Sequence, residues 1–384
     1  MVQRSIAICA GESSGDLNGA HLVRALRQID PELQFWGAGG PKMTEAGVRI
    51  PINMAGGGTI GIVESLRSLP SVYLKYLRMR RMLLTQRPDL FIPIDFGAFN
   101  VRLAQIAHRS GIKVVYYFPP SSWRRRLKNA AMLMACGGKV VTPFPWSAEL
   151  LSGAGVDARF VGHPLVDIVK PTMPRDEFLR EIGLSESLPT IGLLPGSRAH
   201  EIREHLPVMV ACAEILYGDL HNVQFVIGAA WGADSIRSRI EHSGEVDFPK
   251  IAVVERRTYD CMAASDLLIT ASGTATLEAA ILGVPMMIVY RGSSAMRLEY
   301  LLRKAILEDF IGMPNIIADR GVCPEMINDD VTPEKLADVA KSLLTDSARL
   351  ARMKDDLRGI RAQLGESGAV ERAARAVLEL GELR

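Results

Sequence analysis

The sequence predicts an α/β protein of two domains, each a doubly wound parallel sheet, facing each other across a cleft. Three observations predict this. Short apolar runs alternate with amphipathic stretches in both halves, as βα units require. Proline-punctuated stretches, His163-Pro164 and Pro171-Thr172-Met173-Pro174, divide the chain near its middle. Small-residue loops that leave an apolar run and open a helix recur at 11–15, 195–198 and 271–274. Such loops present free backbone N–H groups to an anion.

Composition bounds the function more loosely. The 384 residues suit two cores, and 48% hydrophobic with 23% charged residues describes a globular chain. A net charge of +2 argues against a dedicated nucleic-acid binder. Cysteines 9, 136, 212, 261 and 323 are odd in number and never in CxxC spacing, the pattern of a reduced, cytoplasmic protein. The apolar run Ile6 to Ala10 is too short for a signal peptide. The longest uncharged apolar run, Ala279 to Tyr290, falls short of the ~20 residues of a membrane span. The expectation is a soluble or peripheral protein.

The first domain opens with a strand, Ser5 to Ala10, a glycine-bearing turn and a helix from about Leu17, whose Leu22, Val23, Leu26 and Ile29 share one face. Gly11-Glu12-Ser13-Ser14-Gly15 also fits the G-x-S-x-G nucleophile elbow, with Ser13 as nucleophile and His163 as its histidine. Against that stand the edge-prone first strand and the lack of a glycine-rich oxyanion loop before it. Gln34-Phe35-Trp36 reads as a strand and Gly37 to Pro41 as a loop, without the G-x-G-x-x-G spacing of a dinucleotide site. After Gly56-Gly57-Gly58, residues 60–84 carry an apolar stripe edged by Arg67, Lys75, Arg78, Arg80 and Arg81. That stripe suits an anionic membrane surface or a core-packed helix pair with a solvated face. Asp89 to Ile94 is a strand with Asp95 at its carboxyl end, where open parallel sheets bind ligands. Asp95 is then a general base or the cap of a helix from about Asn100. Lys113 to Tyr117 is the next strand, and Trp123, Arg124, Arg125 and Arg126 follow. These residues fit a phosphate or anionic head group, or a solvated surface loop. Lys139–Thr142 and Arg159–Gly162 complete the strands.

The second domain restarts the alternation at Pro189 to Leu194, ending in Pro195-Gly196-Ser197-Arg198, where Arg198 is placed to pair a diphosphate. His200 and His205 nearly imitate a zincin motif. Their five-residue step turns the second ~140° from the first, so no metal site is expected. Strands at 224–228, 251–254 and 267–270 lead to Ala271-Ser272-Gly273-Thr274 and a helix from Ala275 to Leu282, stopped by Gly283 and Pro285. Met286 to Tyr290 closes this βαβ unit. Its loop suits a diphosphate, and Glu278, one turn into the helix, suits vicinal sugar hydroxyls; a plain strand-to-helix turn with a solvated Glu fits equally. Asn315 falls in a loop after a helix from near Ala295, and helical stretches from Thr332, Ser347 and Ala369 finish the chain.

Several motifs in order give a wider resemblance: Ala10 to Asp16, Gly39-Gly40-Pro41-Lys42-Met43, Ile94-Asp95 with Phe99-Asn100, Gly162-His163-Pro164, Leu194 to Arg198, Ala271 to Glu278, and Pro314-Asn315. Over nearly its whole length the chain resembles the bacterial lipid-A-disaccharide synthases, inverting glycosyltransferases of the GT-B fold. The resemblance implies Rossmann-like domains over 1–168 (acceptor and membrane contact) and 169–365 (UDP-sugar donor). A C-terminal helix over 366–384 is expected to cross back to the first domain or to a second subunit of a homodimer. It implies transfer of diacylglucosamine from UDP-2,3-diacylglucosamine to 2,3-diacylglucosamine 1-phosphate, a lipid acceptor at the inner face of the cytoplasmic membrane, with no cofactor or metal. By position, Asp95 would be the base. Ser14 and Gly15 would contact the donor, and Gly196, Ser197, Arg198, Ser272, Gly273, Thr274, Glu278 and Asn315 would hold UDP.

The chain departs from the family around the acceptor. Pro93-Ile94-Asp95-Phe96-Gly97-Ala98-Phe99-Asn100 stands for Gly-Ile-Asp-Ala-Pro-Asp-Phe-Asn, and Arg124-Arg125 follows Trp123 where the family has Ala-Trp. A paralogue with another lipid acceptor and a UDP-sugar 2-epimerase-like enzyme are the alternatives.

Overall fold

The structure is a computed structural model that describes residues 4–54, 62–120, 122, 130–241, 250–292 and 310–383, with 62–69, 239 and 241 as backbone only. It divides into two compact units, Met1–Asp167 with Gln363–Arg384, and Ile168–Ala362.

The first unit is built on an eight-stranded parallel sheet: β1 (Ser5–Ala10), β2 (Gln34–Gly39), β3 (Arg49–Asn53), β4 (Leu90–Ile94), β5 (Lys113–Val114), β6 (Tyr116–Tyr117), β7 (Lys139–Thr142) and β8 (Asp157–Phe160). The order is β3-β2-β1-β4-β6-β7-β8, with β5 also on β4. The chain winds outward from β1 to β3, then returns to lay β4 against the other side of β1, with Ala10 opposite Ile94. This is the switch point of the sheet, the place where open parallel sheets bind ligands at the carboxyl edge. The β1 helix, Ser13–Ile29, lies close on the sheet because Gly15 and Gly19 face it. A Cβ on Gly19 would sit 2.9 Å from Met43 Sδ and 3.1 Å from Ile94 Cδ1.

Two details of this sheet differ from the sequence expectation. Gly37 to Gly39 is strand, not loop. Gly37 lets β2 shift register between Trp36 and Ala38, and a Cβ there would overlap the Ile8 carbonyl oxygen. The run read as one strand from Lys113 breaks at Val115 into β5 and β6.

The C-terminal helix Ala369–Leu380 packs in the same unit. Ala373, Ala374, Val377 and Leu380 join the core that holds Ile6, Ile8 and Leu22. Asp167 caps it, accepting from Gly368 N (2.7 Å) and Val370 N (3.0 Å).

The second unit repeats the plan with β9 (Thr190–Leu194), β10 (Gln224–Ala229), β11 (Ile251–Glu255), β12 (Leu267–Ala271), β13 (Met286–Tyr290) and β14 (Glu325–Ile327). The order is β11-β10-β9-β12-β13-β14, all parallel. Its reversal falls between β9 and β12, where Leu194 pairs with Thr270. These strands are buried along their whole length except β11 and the ends of β13 and β14, which explains their continuous apolar runs. Among the described residues no helix is long and apolar enough to cross a membrane.

Candidate active site

At the carboxyl edge of the first sheet the candidate residues come from the loops after β1 and β4. Asp95, Phe96 and Gly97 have consecutive positive φ of 42°, 55° and 31°. For the two non-glycine residues that conformation costs roughly 1–3 kcal/mol each, so neighbours must hold it. They do. Asp95 N donates to Phe118 O (3.0 Å), while Asp95 O accepts from Tyr116 Oη (2.9 Å) and Asn100 Nδ2 (3.1 Å). Buried Asn100 also donates to the carbonyls of Cys9 (3.0 Å) and Ile94 (2.9 Å), which ties β1 to β4. The helix here starts at Gly97 with Phe96 as N-cap, so Asp95 is not its cap. Its carboxyl keeps contact with solvent but is crowded by protein. That partial loss of hydration, then the nearby Glu12 carboxylate, pushes it from its ordinary 3.8 to about 6 despite a lowering hydrogen bond from the Phe96 N–H.

Ser14 and Gly15 lie in the first turn of the Ser13–Ile29 helix on the same edge. Ser14 is half-buried. Gly15 is buried with its missing Cβ 3.3 Å from Ala10 Cβ, so it serves helix-to-sheet packing and has no open face for a ligand. Asp16, which sequence reasoning did not single out, accepts from the N–H groups of Gly40 (2.8 Å), Lys42 (3.0 Å) and Met43 (3.1 Å) and so fixes the start of the short helix Pro41–Glu45 after β2.

The elbow reading of Ser13 does not survive. Ser13 begins a helix without the strained φ an elbow needs. His163 is buried, accepts from Leu165 N through Nδ1 (3.2 Å), and is held by burial down to about 3, far from a general base. Among the described residues no hydrogen bond joins the two.

In the second unit β9 and β12 bring Pro195–Arg198 and Ser272–Thr274 to one edge. Gly273 and Thr274 are exposed. Thr274 and Ala275, the first two helical residues, have N–H groups with no acceptor among the described residues. This N-terminus is open to an anion. Ser272 Oγ is turned away, donating to Ile311 O (2.8 Å). Glu278, half-buried, accepts from Tyr259 Oη (3.1 Å), a contact between helices that the sequence did not indicate.

The loop at Gly196 is organised differently from the expectation. Glu201 places Oε2 on the N–H groups of Ser197 (2.9 Å) and Arg198 (3.1 Å), and Oε1 on Arg198 Nη1 (2.7 Å). Hydrogen bonds and charge from Arg198 hold this carboxyl below its usual range despite its burial. The anion that the Ser197 and Arg198 N–H groups hold is therefore Glu201 itself. A Cβ on Gly196, at φ 115°, would press into the Glu201 side chain. The Arg198 side chain is one-third exposed at this edge. Two further side chains brace the loop: Trp231 Nε1 donates to Ser197 O (2.7 Å), and His205 bridges Pro195 O (2.9 Å) and Arg291 N (2.9 Å) with its two ring nitrogens.

Asn315 requires a correction. It lies in a helix, Met313–Ala318, and is buried. Its Nδ2 donates to Cys323 O (2.8 Å) and a Glu325 carboxylate oxygen (2.7 Å), and its Oδ1 accepts from Val322 N and Cys323 N (both 2.8 Å). All four amide positions are taken, so it braces the loop and cannot grip a nucleotide. Trp123, Arg124, Arg125 and Arg126 lie outside the described residues, as do residues 60 and 61 of the apolar-basic stripe and the stretch from Ala295.

Two doubly wound units with ligand loops at their switch points define the GT-B class of fold. Its solved members here include a putative UDP-N-acetylglucosamine 2-epimerase from Listeria monocytogenes (TM-score 0.63, 15% identity, covering 99% of this chain and 97% of that one). A calicheamicin glycosyltransferase matches similarly (TM-score 0.58, 16% identity, 99% of each chain). At such identity these show the fold alone. The family model described as lipid-A-disaccharide synthetase matches residues 6–380. The lipid-A-disaccharide synthase of Geobacter sulfurreducens is 38% identical over 377 residues, 98% of this chain and 97% of the relative. The chain belongs to the lipid-A-disaccharide synthetase family and is a glycosyltransferase.

Proposed function

We propose that the chain moves diacylglucosamine from UDP-2,3-diacylglucosamine to the 6-hydroxyl of 2,3-diacylglucosamine 1-phosphate. The observation that carries the reading is Asp95, a carboxylate fixed at a sheet switch point and lifted to about 6 in a chain whose relatives are named for joining two sugars. Asp95 takes the hydroxyl proton, and the oxygen attacks the anomeric carbon from the face opposite the diphosphate. The carbon–oxygen bond to UDP breaks, with inversion to a β-1,6 linkage. In the second unit the open N-terminus at Thr274 and the Arg198 guanidinium receive the diphosphate charge, so the chemistry needs no metal. Glu278, steadied by Tyr259, accepts from the ribose hydroxyls.

The lipid acceptor implies work at a membrane surface. On the helix Ile62–Gln86, Tyr73 (59% exposed), Leu74 (66%), Leu77 and Leu84 fall within about 100° of arc, interleaved with exposed Arg80 and Arg81. Apolar side chains among arginines suit the interface of an anionic leaflet.

Incubation with UDP-2,3-diacylglucosamine and the monosaccharide phosphate, with products read by mass spectrometry, tests the reaction. Disaccharide from the native chain and none from Asp95→Asn is expected, with UDP affinity retained in the variant. Turnover by Asp95→Asn removes Asp95 from the mechanism, and no disaccharide from either overturns the reaction.

A further inference from the structure

We propose that Tyr116 is a positioning residue for Asp95, its hydroxyl setting where that carboxylate stands. The inference rests on Asp95 being the base and adds the group that aims it. Tyr116 lies in β6 with its ring buried in the core beside Cys9 and Phe91. Packing alone would be served by phenylalanine, and a buried hydroxyl is a cost unless it is bonded. The bond it makes is to the carbonyl oxygen of Asp95 itself, at 2.9 Å. From the other side, the Asp95 N–H reaches Phe118 O, just past the end of β6. The base is thus clasped at both backbone ends by one strand and its exit, at a point where Asp95 and Phe96 both hold left-handed conformations. Asn100 shares the Asp95 carbonyl but also ties Cys9 and Ile94, so its role in folding cannot be separated from its role at Asp95. Among the described residues the Tyr116 hydroxyl has one hydrogen-bond partner, so this bond can be removed singly.

The test is Tyr116→Phe beside Asp95→Asn in the full chain, with kcat, donor KM, the pH profile and thermal stability measured for each. Tyr116→Phe is expected to lower kcat roughly tenfold, as misplacing a reacting group does. Donor KM should stay unchanged, and the acid limb should move below its native position as the loosened carboxylate regains water. If Asp95→Asn is inactive while Tyr116→Phe keeps native kcat and acid limb, the positioning role is overturned. It is likewise overturned if kcat falls only in step with the folded fraction and the acid limb stays fixed. Activity in Asp95→Asn instead overturns the base assignment, a separate failure.

Discussion

The pH dependence of transfer follows from Asp95. A carboxyl at about 6 is about 90% ionised at pH 7 and about 9% ionised at pH 5, whereas one at its ordinary 3.8 stays above about 90% at both. If Asp95 is the base, kcat/KM falls about tenfold between pH 7 and pH 5. Initial rates in detergent micelles, with substrates shown to keep their own ionisation over the range, measure it. Glu12 is the second cause of the shift, after burial, so Glu12→Gln should move the acid limb to lower pH. Because Glu12 is exposed, high salt should shrink that difference. The sign for stability is opposite to that for activity. With its folded value raised, Asp95 contributes stability that is fully present below about pH 4 and lost as pH rises through 6. A profile flat from pH 7 to pH 5 would refute the assignment.

Two further substitutions probe the loops. Arg198→Ala should weaken UDP binding by about 1.5–3 kcal/mol, roughly ten- to 150-fold in Kd by calorimetry; an unchanged Kd removes Arg198 from the donor site. Gly11→Ala would drive a Cβ into the Phe96 ring, displacing the residue beside Asp95. It should cut kcat, and Phe96→Ala added to it should restore much of the loss, whereas equal activity of single and double variants denies that coupling.

The sequence made legible whatever rests on local order. The run Ser5 to Ala10 with its glycine turn, and the unit Leu267 to Tyr290, are βα patterns whose strands, turns and helices lie within some two dozen residues of each other. Roles that depend on distant segments were not legible. Tyr259 meets Glu278, and Tyr116 meets Asp95, only because parallel strands bring their elements together. Asp16 reads as a first-turn acid on its own helix, yet it caps the one at Pro41–Glu45. The bonds from the Arg198 N–H and guanidinium to Glu201 were hidden because arginine, which has no acceptor to complete a capping box, stands at the N-cap, leaving Glu201 as the one signal that this loop fills itself. Asn315 followed the family motif, but its position says nothing about where the amide points.

Charge divides the labour between the units more firmly than motif order does. Around the switch point of the first, Glu12 and Asp95 already repel one another enough to help lift Asp95. A diphosphate brought there would raise that carboxyl further and take the base out of its working range. At the other switch point the Arg198 guanidinium is one-third exposed, and the Thr274 N-terminus carries no acid in its first turn. The same topology therefore presents a carboxylate in one unit and a cation beside a helix N-terminus in the other. Under the proposed reaction, that difference suits the first to proton removal and the second to stabilising the leaving group.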